Sequence, residues 1–202
     1  MSCVALIIDL IEGLGCGVLF STRECLNFGL RNAVDKALSR LVKIGYIVRV
    51  ARGVFVRPDS EPVTYTVSDI AAVKAAVYNK SFATHGADLA HQFGLADVAN
   101  AEATFYVGGS SSSFDTIFER VHFKRASAKK IASGEGTVGT FIRALWYLRL
   151  PALTEVVHKA VACLSESEQA NLANSAHLMP GWLSAQLRSH FSASYTVTEN
   201  AT

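Results

Sequence analysis

The sequence predicts an α+β protein in two parts: a small helix-and-ribbon module at the N-terminus, then a mixed α/β domain that ends in helices. Three observations carry this prediction. The chain has 202 residues, of which 50% are hydrophobic, enough for one or two domains at ~100 to 200 residues each. Its hydrophobic periodicity switches from helical to alternating within residues 1–60, and the stretch Pro58 to Pro62, with two prolines and two acids, follows as a linker. Its basic residues are concentrated: Arg31, Lys36, Arg40, Lys43, Arg49, Arg52 and Arg57 face a single acid, Asp35, a local excess of +6 in a chain of net charge +2.

The elements of the first part can be taken in order. Val4, Ile7, Ile8, Leu10, Ile11 and Leu14 recur at helical spacing, and Gly13, Gly15 and Gly17 end that helix. Val18 to Phe20 is a short apolar run. Ser21 stands three residues before Glu24, the spacing of a capping box, so a short helix through Leu26 is expected. Asn27 to Leu30, with Gly29, reads as a turn. Asn32 is a good N-cap with Asp35 at the third helical position, and Val34, Ala37, Leu38 and Leu41 form one apolar stripe ending before Gly45. Tyr46 to Val50 and Val54 to Val56 alternate as strands around the turn Ala51-Arg52-Gly53.

Helix, short helix, turn, helix and ribbon is the order of a winged helix-turn-helix, which sets its second helix in the major groove of DNA. On that expectation Asn32, Lys36, Ser39 and Arg40 read bases, and Asp35 shares their end of the helix. Arg31, Lys43, Arg49 and Arg52 hold phosphates. The expected partner is therefore double-stranded DNA, an operator with repeats. A second basic stretch, Arg120, Lys124, Arg125, Lys129 and Lys130, contains no acid and is a second candidate phosphate patch. Taken alone, either stretch also fits a solvated charged face, and a winged helix also serves as a protein-docking module.

Beyond the linker the expected elements are a helix capped by Ser68 and running to Tyr78, a strand over 81–85, a helix over 86–93, a strand over 103–108, and strands over 114–118 and 121–125. Helices over 137–150, from Pro151 to about Leu164, after Ser165-Glu166-Ser167-Glu168, and over 182–191 complete the series. Residues 64–192 thus form the second domain, and 193–202 a frayed tail.

The chain offers little catalytic chemistry. Its six histidines and four cysteines fall in no zinc-ligand spacing, and it contains no phosphate-cradling glycine loop and no nucleophile elbow. Asp115 and Glu119 fall an even number apart, the spacing of one strand face, and are the carboxylate pair that an enzyme reading would use. No enzyme activity, cofactor or metal is expected. Cys3, Cys16, Cys25 and Cys163 show no pairing pattern and three of them sit among apolar neighbours, so buried free thiols in a cytoplasmic protein are expected. No run is long enough for a membrane span of ~20 apolar residues, and no membrane partner is expected.

Several of these segments resemble one family. The run Ala33-Val34-Asp35-Lys36-Ala37-Leu38-Ser39-Arg40-Leu41, then Gly45, Arg49, Arg52-Gly53-Val54-Phe55 and Pro58, is similar to the N-terminal domain of the AbiEi-type antitoxins of type IV (abortive infection) toxin-antitoxin systems. Thr84-His85-Gly86-Ala87-Asp88 with Phe93-Gly94-Leu95, Val121-His122-Phe123-Lys124-Arg125, Thr140 to Leu145, and His177-Leu178-Met179-Pro180-Gly181-Trp182-Leu183 continue the likeness, which spans about residues 4–190. The last differs from the family's usual Leu-Pro-x-Trp-Met-like core. The resemblance implies an N-terminal domain that represses its own operon and a C-terminal domain opposing a nucleotidyltransferase-like toxin. A stand-alone winged-helix regulator or an interaction module without antitoxin activity is the alternative.

Overall fold

The computed structural model describes residues 2–59, 65–149 and 155–199. The protein is a mixed α+β chain with two sheets, and it ends in helices. In order, the elements are α1 (Cys3–Leu14), β1 (Leu19–Ser21), α2 (Thr22–Cys25), a 3-10 turn (Leu26–Phe28), α3 (Arg31–Lys43), β2 (Val48–Ala51), β3 (Val54–Val56) and α4 (Val67–Val77). There follow β4 (Phe82–Thr84), α5 (Gly86–Gln92), β5 (Ala103–Val107), β6 (Ser112–Asp115), β7 (Arg120–Arg125) and α6 (Ala128–Ile131). The chain continues with α7 (Thr137–Leu148), α8 (Glu155–Ala162), α9 (Glu166–Asn174), a second 3-10 turn (Ser175–Leu178) and α10 (Gly181–Glu199). The strand orders are β1-β3-β2 and β4-β5-β7-β6. The chain packs as two units, Met1–Ser81 with Ser111–Phe123, and Phe82–Ser110 with Lys124–Thr202.

In the first unit, α1 and α3 close on one core. Ile7 and Ile11 of α1 meet Val34, Ala37, Leu38 and Leu41 of α3, with Phe20, Cys25, Ile47 and Phe55 completing it, all at most 2% exposed. Burying a Leu, Ile, Val or Phe side chain is worth ~1.5–3 kcal/mol each, so the stripe fixes which face of α3 turns outward. Glu24 accepts the Ser21 N–H at 2.6 Å and its hydroxyl at 2.7 Å, as the capping-box spacing predicts. α3 begins two residues earlier than expected. Its N-cap is Leu30, whose carbonyl receives the N–H of Ala33 and Val34 at 2.9 and 3.0 Å. Asn32 therefore lies inside the first turn and is not the N-cap. The other end is a Schellman closure: the Gly45 N–H donates to Val42 and the Tyr46 N–H to Leu41, with Gly45 at φ +75°.

All three strands of the first sheet are antiparallel. β1 pairs with β3 (Phe20↔Phe55) and β2 with β3 (Arg49↔Phe55), with a bulge between Arg49 and Ala51. The unit then extends past the 1–60 module read from the sequence. α4 is capped by Thr66, not Ser68, because Asp69 reaches back to the Thr66 N–H at 2.7 Å while the Thr66 hydroxyl takes the Asp69 N–H. The linker's Pro62 lies outside the described residues. Residues 111–123, with β6 and the first part of β7, also belong here: the Ile117 N–H donates to Val50 at 2.9 Å, and Phe114 packs with Val50, Val54, Val56 and Ile70.

The β6–β7 hairpin corrects the expected strand over 114–118. β6 stops at Asp115, and the Thr116 hydroxyl donates to the Glu119 carbonyl at 2.7 Å while accepting the N–H of Phe118 and Glu119. The hydroxyl closes a tight turn there, a role local hydrogen bonding gives Ser and Thr outside regular structure. Asp115 and Glu119 accordingly do not share a strand face.

The second unit pairs β4 with β5 (Ala83↔Tyr106) and packs α5 on α7 so closely that a Cβ on Gly86 would lie 2.5 Å from Tyr147 Cβ. Phe141, Ile142 and Leu145 of α7 join Val157, Val161, Leu164, Leu172, Met179, Leu183 and Leu187 in its core. α6, capped by Ser127, is a single turn that the sequence reading left out. α9 is capped by Ser165 and Glu168 as expected. The expected start of a helix at Pro151 lies outside the described residues. Residues 193–199 continue α10 where a frayed tail was expected, since no glycine or proline follows Gly181 to stop the helix.

Candidate nucleic-acid interface

Because the apolar stripe of α3 turns into the core, its remaining residues turn out. Arg31, Asn32, Asp35, Lys36, Ser39, Arg40 and Lys43 are all exposed on this one helix. Asp35 lies one turn from Arg31 and accepts the Arg31 Nε–H with both carboxylate oxygens, at 3.2 and 3.0 Å. An exposed pair of this kind adds at most ~1 kcal/mol of stability; its larger effect is to hold the Arg31 side chain along the helix. Lys36, Arg40 and Lys43 pair with no carboxylate among the described residues. Their charge is free for an anionic partner.

The hairpin β2–β3 supplies the other cations. Arg49 is exposed, with its guanidinium 5.5 Å from the Phe55 ring centre. Arg52 is exposed at the turn. Gly53, at φ +79°, gives that turn a backbone conformation that L side chains rarely adopt. The turn is anchored from two directions: the Thr22 N–H donates to the Gly53 carbonyl at 3.0 Å, and the Lys74 ammonium donates to the Arg52 carbonyl. Lys74 also lies 5.5 Å from the Phe114 ring. Burial, and then the Arg52 charge, hold the Lys74 pKa below the usual lysine range. The sequence reading missed Lys74, since it lies on a helix assigned to the other domain; no local spacing ties it to the turn.

The second basic stretch is split. Arg120 belongs to the first unit and lies 3.8 Å from Asp115 across the β6–β7 hairpin. Lys124, Arg125 and Lys129 are exposed in the second unit, whereas Lys130 is half-buried and turned inward. Its ammonium donates to the Tyr106 hydroxyl at 3.1 Å and lies 5.3 Å from the Trp146 ring.

Of the four thiols only Cys25 is fully buried, and burial chiefly pushes its pKa up to about 11. Cys16 and Cys163 are exposed and Cys3 is half-buried, which corrects the expectation that three of the thiols are buried. Among the described residues no group of three or more His, Cys, Asp or Glu is placed to hold a metal ion, and no helix is long and apolar enough to cross a membrane.

No curated protein matches the chain. Among solved structures it is similar to the RV2827C protein from Mycobacterium tuberculosis, at 14% identity and a TM-score of 0.39 over 91% of this chain and 79% of that one. The profile of a family of unknown function, DUF6088, matches residues 6–172, and the chain belongs to that family.

Proposed function

We propose that the protein is a sequence-specific double-stranded DNA-binding regulator whose N-terminal unit works as a winged helix-turn-helix. The observation that carries the reading is the outer face of α3. Its inward stripe is fixed by the core, so Asn32, Lys36, Ser39 and Arg40 stand together in solvent, and among the described residues no carboxylate pairs with Lys36, Arg40 or Lys43. Asn and Arg are the side chains that make paired hydrogen bonds to adenine and guanine edges. The order α1-β1-α2-α3-β2-β3, with β3 between β1 and β2, supports the same reading. In it α3 is the recognition helix and Arg52 sits on the wing.

On this reading Arg31, Lys43, Arg49 and Arg52 hold phosphates, which fixes orientation, and the α3 side chains discriminate bases. The resemblance to AbiEi-type antitoxins supports two additions: repression of the protein's own operon, and opposition by the second unit to a nucleotidyltransferase-like toxin. A gel shift with the upstream region of its own gene tests the first part. Binding at low salt that survives competition by unrelated DNA is expected, and no shift at low salt overturns it. Co-expression with a neighbouring nucleotidyltransferase-like gene tests the second, with rescue of growth as the expected result.

A further inference from the structure

The second unit contains a polar cluster that the DNA-binding reading leaves unused. His85, 3% exposed, caps α5. Its Nδ1 accepts the Ala87 N–H at 3.2 Å and lies 2.9 Å from the amide nitrogen of Asn100. Asp88 fixes that amide by accepting from it at 3.0 Å and from the Asn100 backbone N–H at 2.9 Å. With two donors aimed at Nδ1, the proton of the neutral ring sits on Nε2. The Nε2–H is buried and finds no acceptor among the described residues.

Two more donors of the second unit are in surplus. Arg143 is fully buried. Its terminal nitrogens donate to the Ser133 hydroxyl (2.9 Å), the Gly134 carbonyl (2.5 Å) and Glu135 (2.8 Å), but its Nε–H finds no acceptor among the described residues. Lys130 stands on the Tyr106 ring at 4.5 Å, and the His85 ring centre lies 4.4 Å from that of Tyr106. Tyr106 thus carries a histidine and a lysine as neighbours. Lys130 pairs with no carboxylate among the described residues. Burial first, and then the charges of Lys124, Arg149 and Arg143, push its pKa down to about 8.

The acceptors close by are already engaged: Glu135 by Arg143, and Asp88 by Asn100. A buried donor left without an acceptor costs ~1–3 kcal/mol, and clustered cations repel one another. A tetrahedral oxyanion supplies several acceptors and negative charge together. The exposed Arg149 has a left-handed backbone (φ +49°), one of two non-glycine residues at positive φ among those described. That conformation closes α7, whose C-cap is Arg149, with the Arg149 N–H on the Leu145 carbonyl.

We propose that this cluster binds the phosphate group of a small ligand, held by the Lys130 ammonium and the His85 Nε2–H, with Lys124 and Arg149 at its rim. The cluster belongs to the second unit and α3 to the first.

Calorimetric titration of the full chain in chloride buffer, with inorganic phosphate and with adenosine monophosphate, tests the proposal. Saturable one-to-one binding is expected, weakened about tenfold by Lys130→Gln and several-fold by Lys124→Gln or Arg149→Gln. The last two side chains are exposed, so these variants keep the fold even if Lys130→Gln does not. Equal affinity for both probes means that the phosphate alone is recognised; tighter binding of the nucleotide assigns the site to nucleotides. Absence of saturable binding at millimolar concentration, or binding unchanged in Lys124→Gln and Arg149→Gln, overturns the proposal. Loss of duplex-DNA affinity in step with loss of phosphate affinity overturns the assignment to a small ligand.

Discussion

Replacing His85 by Asn isolates the energetic consequence of keeping a neutral histidine inside the second unit. Burial first, then the charges of Lys124 and Lys130, push the imidazole pKa from its ordinary 6.5 down to about 4, against an opposing effect of Asp88. In the unfolded chain the ring regains its ordinary value. Between pH 6.5 and 4 the unfolded state therefore binds more protons than the folded state. Stability from this group is fully present above the upper limit and is lost as pH falls towards the lower one. The gap corresponds to about 3 kcal/mol at ~1.4 kcal/mol per pH unit. Since the side chain is 3% exposed, solvent screening removes little of it. An Asn amide oxygen can still cap α5, as Asn does at helix N-termini, but it does not titrate. Urea unfolding at pH 7 and pH 4 in phosphate-free buffer measures both proteins. The original chain is expected to lose about 3 kcal/mol more than His85→Asn on acidification. Other titrating groups cancel in the difference. Equal losses in the two proteins refute the buried neutral imidazole.

Three further outcomes follow from the packing and charge. Leu38→Ala removes a side chain 1% exposed at the centre of the α3 stripe and is expected to cost ~2–5 kcal/mol in urea unfolding. Gly139→Ala places a Cβ 1.9 Å from the Ser133 carbonyl oxygen and 2.5 Å from that of Gly134. It is expected to destabilise by the upper part of ~1–3 kcal/mol, visible as a lowered Tm. Arg52→Ala is expected to weaken binding to every DNA sequence alike and to flatten the logarithmic salt dependence by about one unit; a change in sequence preference instead would contradict a phosphate role.

Much of the first unit was legible because local and tertiary signals agree there. The Ser21–Glu24 capping box, the stripe Val34, Ala37, Leu38 and Leu41, and Gly45 and Gly53 at positive φ each specify their own element. What the sequence hid is non-local. Thr66, three residues before Asp69, starts α4 in the same way as Ser21 starts α2, yet Ser68 is the more obvious cap, and nothing in α4 shows that Lys74 grips the Arg52 carbonyl. The return of 111–123 to the first unit is a long-range packing event carried by Phe114 and the Ile117 N–H. Of the candidate DNA-binding face, the residues were legible and their exposure follows from the stripe. The capping role of Asn32 was not, because the Leu30 carbonyl takes the first helical N–H groups. The cluster around His85 was invisible for a related reason: His85, Tyr106, Lys130 and Arg143 come from separate segments and share no spacing.

The central claim is that the outer face of α3 reads DNA. Fluorescence anisotropy with a duplex from the protein's own upstream region, compared with a scrambled duplex, tests it most directly when the original chain is set beside Arg40→Ala and Asn32→Ala. The account predicts that each substitution lowers affinity for the upstream duplex by ~1–3 kcal/mol and narrows the gap between the two duplexes, while unfolding midpoints stay unchanged because both side chains are exposed. Undiminished discrimination in both variants would contradict it.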